Sequence, residues 1–150
     1  MSQHYASFLS DRLLRIFQRR GSDGEFLKPF SKFPKMIQEK LLEQANIQDD
    51  EGPIIACFFR HDDWTVLTTE RLYWCDGKAQ YSIPLSGITD ATVDVMHLRE
   101  TGTKARLDRL TFLTDTGGRY QLHLEAGQPF SGFWNVLKTV AQTVKKEAEP

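Results

Sequence analysis

The residues of this chain with most capacity for chemistry are its four histidines, two cysteines and several neighbouring carboxylates. His4, His61, His97 and His123 are scattered, and none pairs with another, or with Cys57 or Cys75, at the short spacing of zinc ligands. The densest polar cluster is His61-Asp62-Asp63, whose imidazole and carboxylates could serve a cation. A solvated turn between two strands is the simpler role for these residues and the expected one. A nucleophile triad does not assemble, because there is no G-x-S-x-G and neither cysteine has a local activating neighbour. Gly117-Gly118 reads as a hairpin and not a phosphate loop, since no helix follows it. Carboxylates could still converge from distant positions, and a hydrolase built that way would show a deep polar cleft. The chain therefore reads as non-enzymatic, with no catalytic residues, no metal and no cofactor.

Binding chemistry is better represented. Arg12, Arg15, Arg19 and Arg20 are the candidate binding residues. Residues from Ser2 to Arg20 read as a helix, with Tyr5, Leu9, Leu13, Ile16 and Phe17 on one side at about 100° per residue. Arg12, Arg15 and Arg19 run along one edge of that side. Such a helix suits an anionic membrane surface, where each arginine contributes about 1 kcal/mol. Its apolar side can equally dock on the rest of the chain or form a protein interface, which is the preferred reading. A net charge of −1 lacks the dominant basic surface of a nucleic-acid binder, so no nucleic-acid partner is expected. The same arginines interrupt any signal-peptide pattern, and no apolar run reaches the roughly 18 residues of a membrane span. The expected location is cytoplasmic, with Cys57 and Cys75 as buried free thiols inside strands.

The elements that must position these groups centre on Trp64 to Leu85. Trp64, Val66 and Thr68 alternate with Thr65, Leu67 and Thr69, and Leu72 and Trp74 alternate with Arg71, Tyr73 and Cys75. Period-two alternation of aromatic and β-branched residues marks strands with two distinct faces. Asp76-Gly77 is a hairpin signal, after which Tyr81, Ile83 and Leu85 continue one face. Pro84 would remove a donor from a central ladder, so an edge or bulge is expected there. Ile54 to Arg60, Ile88 to Met96, Leu107 to Thr114 and Arg119 to Glu125 complete six or seven antiparallel strands, with a loop at residues 100–104.

Before them, Phe26, Phe30 and Phe33 should tuck into the domain, since Pro29 and Pro34 oppose a long helix. A short helix from Pro34 to Ala45 should bury Met36, Ile37, Leu41, Leu42 and Ala45. The chain closes on its clearest helix, Pro129 to Glu147, with Phe130, Phe133, Trp134, Leu137, Val140, Ala141 and Val144 on one face and Lys145 and Lys146 in its last turn.

The stretch V-L-T-T-E-R-L-Y-W (Val66 to Trp74) resembles the strand–turn–strand signature of bacterial pleckstrin-homology (PH)-like domains. Ser82 to Ile88 is similar to that family's following strand, and Phe33 to Leu41 to its preceding helix. The resemblance implies a mainly β, α+β fold: a PH-like, partly open antiparallel barrel or sandwich capped by a C-terminal helix. It covers about Pro34 to Glu147. The expected division is an N-terminal helical extension over 1–33 and a PH-like domain with its preceding helix over 34–150. The resemblance also implies a binding or assembly module whose partner is another protein or a second copy of the chain. An anionic membrane surface is the alternative partner. Eukaryotic relatives that bind inositol lipids carry basic residues in the first strand–strand loop. Here that loop is Arg60-His61-Asp62-Asp63, whose carboxylates would repel a phosphorylated head group.

Overall fold

A computed structural model describes residues 3–93 and 107–148. His97, the expected loop at 100–104 and the end of the strand expected up to Met96, with Val95, lie outside the described residues. So do the side chains of His4, Tyr5, Val144, Lys145 and Lys146.

The described chain is α+β. In order it forms α1 (Gln3–Arg20), β1 (Leu27–Pro29), a 3-10 turn (Phe30–Lys32), α2 (Lys35–Gln44), β2 (Pro53–Arg60), β3 (Asp63–Thr68), β4 (Arg71–Asp76) and β5 (Gln80–Pro84). A second 3-10 turn (Leu85–Gly87) leads to β6 (Ile88–Thr92), β7 (Arg109–Thr114), β8 (Arg119–His123) and α3 (Gln128–Ala148). The described residues thus hold eight strands rather than six or seven. They form two antiparallel sheets, ordered β1-β2-β3-β4-β5 and β6-β7-β8, that do not close into a barrel. The extra strand is β1, whose Leu27, Lys28 and Pro29 face Cys57, Ala56 and Ile55. Three residues, one of them proline, are too few to show a period, and a proline is tolerated because β1 lies at a sheet edge.

Strand alternation sorts the five-stranded sheet onto two cores. Ile55, Cys57, Leu67, Leu72 and Trp74 join Leu110, Phe112 and Leu122 of the second sheet, together with Leu13 and Phe17 of α1 and Phe133 and Leu137 of α3. On the other face Ala56, Trp64, Val66 and Tyr73 pack under Phe30, Phe33 and Leu41. Because β3 and β4 are covered on both sides, five of the six residues of β3 and the Leu72-Tyr73-Trp74 run of β4 are buried. Each large apolar side chain so buried stabilises the fold by about 1.5–3 kcal/mol.

Helix α2 does not bury Met36, which is 76% exposed. Only the stripe through Ile37 and Leu41, with Leu42 and Ala45 beside it, reaches the sheet in so short a helix, and Met36 stands about 100° off that line. Helix α3 lies over β6 and the 85–87 turn and packs along α1. Trp134 is half-buried, with its Nε1–H donating to the Ala91 carbonyl at 3.1 Å. The α1–α3 approach is close because Gly132 of α3 lacks a side chain: a Cβ there would stand 2.9 Å from the Phe17 carbonyl oxygen. Pro84 ends β5 at the outer edge of the larger sheet, as its missing N–H requires.

Candidate functional site

The β3–β4 turn is built by one hydroxyl. Thr68 Oγ1 accepts from the N–H groups of Glu70 (3.1 Å) and Arg71 (2.9 Å) and donates to the Glu51 carboxylate at 2.7 Å. The Tyr73 hydroxyl donates to the other Glu51 oxygen at 2.6 Å. Burial and this carboxylate together push the Tyr73 phenol well above its ordinary pKa. The network holds β4 in register, and β4 in turn carries Trp74.

Trp74 is 4% exposed and forms the floor of an aromatic groove. Tyr81 of β5 stacks on it with ring centroids 5.2 Å apart. Tyr120 of β8 meets it edge-on at 5.4 Å, and Phe112 at 5.2 Å. Tyr81 and Tyr120 face one another at 6.4 Å and are 37% and 39% exposed. With Ser82, Ile83, Thr114 and Thr116 they line a groove of about 350 Å³. The Asp76 carboxylate, at the β4–β5 turn, acts on Tyr81. It accepts from the N–H groups of Lys78 (2.9 Å) and Ala79 (3.0 Å), which lowers its pKa, and it raises that of Tyr81. Gly77 takes the positive φ (91°) that this turn requires.

The backbone of β5 completes the groove. Asp76 N–H donates to the Ala79 carbonyl, and Leu85 N–H to the Glu70 carbonyl. In an antiparallel pair bonded and unbonded residues alternate, so Tyr81 and Ile83 point their main-chain groups at β4. Gln80 and Ser82 point theirs outward, where no described strand pairs with β5. Nothing in the local sequence marked Tyr81 and Tyr120 as partners, because they come from different sheets. The alternation that placed each on one face of its own strand was the only available signal.

A second, polar cleft of about 240 Å³ opens between Arg60, Asp63, Cys75, Asp76, Arg109 and His123. His123 Nδ1 lies 2.9 Å from the Asp63 carboxylate, Nε2 lies 3.8 Å from that of Asp108, and the ring stacks on Phe59 at 4.4 Å. Among the described residues no hydroxyl or thiol hydrogen-bonds to His123, whose imidazole links β8 of one sheet to Asp63 of β3 in the other. Cys75 is only half-buried at this cleft, one residue before the end of β4. Cys57 is buried, which pushes its thiol pKa up, and both thiols are free.

His61-Asp62-Asp63 makes the turn from β2 into β3, as expected, and its side chains part company. His61 offers its carbonyl to Trp64 Nε1 and Gln44 Nε2, both at 3.2 Å. Asp62 approaches Arg60 at 3.1 Å, and Asp63 turns away to His123. Among the described residues no three ligating side chains converge on a metal position.

Arg12, Arg15, Arg19 and Arg20 are all exposed on α1, while Leu13 and Phe17 beneath them are fully buried. The apolar side of this helix is therefore spent on docking against α3 and the sheet core. No described helix is long and apolar enough to cross a membrane. Comparison with family models, with curated proteins and with solved structures gives no match.

Proposed function

We propose that this chain is a non-enzymatic PH-like binding module that takes an extended segment of a partner protein, or of a second copy, along the free edge of β5. The PH-like reading is supported by β2 to β8. Without β1 these run four strands in one sheet and three in the other, and one helix follows. The binding reading rests on one observation: two half-exposed tyrosines, packed on a buried tryptophan, stand beside a strand edge that no described strand covers.

Tyrosines held this way give large amphipathic contact area at little entropic cost, which is why they dominate interface hot spots. Gln80 and Ser82 supply main-chain donors and acceptors to an added strand, and Pro84 limits its length. The partner's alternate side chains would then fall into the groove over Trp74.

The test is selection of extended peptides on the intact protein, followed by affinity measurement on variants. Tyr81→Ala with Tyr120→Ala should weaken binding at least tenfold, as expected for loss of about 2 kcal/mol at a hot spot. Ser82→Pro, which removes one outward N–H, should weaken it as well. Peptides that bind both variants as well as the parent would contradict the proposal. For the self-association version, the concentration dependence of mass should vanish in the same variants.

A further inference from the structure

The outward side of α1 carries a second, independent surface. Phe8, Arg12, Arg15 and Arg19 follow one another at i, i+4, i+7 and i+11, so at about 100° per residue they form one straight line along the helix. That line lies on the side away from the docked Leu13 and Phe17. Phe8 is 58% exposed, which is exceptional for a ring in a chain that buries most of its aromatics. The arginines are exposed, and among the described residues none of them pairs with a carboxylate.

We infer that this stripe is a contact site for an anionic lipid surface, with the arginines at the phosphate level and Phe8 at the boundary of the acyl region. The helix does not sink its apolar face, which the core already occupies, so the contact is electrostatic with one aromatic anchor. The charge distribution favours a flat, one-sided partner. Helix α1 carries Arg12, Arg15, Arg19 and Arg20 against Asp11 alone, whereas the rest of the chain carries fifteen Lys and Arg against nineteen Asp and Glu. One basic helix on an otherwise net-acidic chain turns that helix toward a negative plane. A long polyanion that wrapped the molecule would meet the acidic part and be repelled. Mobile lipid head groups also accommodate a linear array without a built pocket.

Each arginine near such a surface should contribute about fivefold to partitioning, and three together roughly a hundredfold. The experiment is co-sedimentation of the intact chain with phosphatidylcholine vesicles, with and without phosphatidylserine, at about 0.1 M and about 1 M salt, where the Debye length falls from about 10 to about 3 Å. Binding should require phosphatidylserine and fail at high salt. It should drop roughly a hundredfold in Arg12→Gln/Arg15→Gln/Arg19→Gln and severalfold in Phe8→Ser. It should persist in Lys35→Gln/Lys40→Gln, which removes exposed charge elsewhere, and in Tyr81→Ala/Tyr120→Ala, which separates this site from the β5 groove. Absence of binding by the parent chain would overturn the inference. So would equal loss in the lysine variant, or binding to heparin or an RNA homopolymer in place of vesicles.

Discussion

Glu51 is a carboxylate only 9% exposed, held by the hydroxyls of Thr68 and Tyr73 and, among the described residues, by no cation. Its sequence neighbours make it look like the end of an acidic run closing a helix. Its partners lie 17 and 22 residues further on, so no local pattern could reveal the network. The threonine at the end of β3 was legible as part of a signature, but not the carboxylate that it serves. This arrangement makes a pH prediction. In the folded chain the Tyr73 phenol keeps its proton to higher pH than in the unfolded chain, where it titrates near about 10. Above that pH the unfolded state binds fewer protons, so stability falls as pH rises. Denaturant unfolding of the parent should therefore lose stability above about pH 10 more steeply than Tyr73→Phe. At neutral pH the variant should be less stable by about 1–3 kcal/mol, because Glu51 loses a buried donor. Parallel profiles for the two proteins would show that the bond does not carry this linkage.

At the scale of elements, periodicity located α1, α2, α3 and the strands β2 to β8, because each is long enough to repeat its pattern. It did not locate β1. That strand is held from a distance: the Glu125 carboxylate accepts from the N–H groups of Glu25 (3.1 Å), Phe26 (2.7 Å) and Leu27 (2.9 Å). Nor did it show that Gly132 exists to admit α1, since a glycine within a helix reads only as a weak position. The close approach makes the glycine testable. Gly132→Ala gains helix propensity of about 1 kcal/mol, yet its Cβ would meet the Phe17 carbonyl at 2.9 Å, a backbone atom that cannot turn aside. The variant should be destabilised by about 1–3 kcal/mol, as overpacked sites are, and should exchange the amides of α1 faster. A net gain in stability would mean that α1 is not seated against α3.

For the molecule as a whole, two open sheets leave the outer edge of β5 without a partner among the described strands, and the aromatic groove opens beside it. The fold class was readable because strand alternation and a single amphipathic C-terminal helix leave few architectures. The groove was not, because Tyr81 and Tyr120 come from separate sheets and meet only over Trp74. The most direct test of the binding account is amide hydrogen exchange of the intact chain, alone and with a peptide selected for binding. Gln80 and Ser82, whose N–H groups point away from β4, should exchange fast in the free protein and become protected in the complex, while α1 stays unchanged. Unaltered exchange at both residues, with protection appearing on another face, would contradict the assignment of β5 as the binding edge.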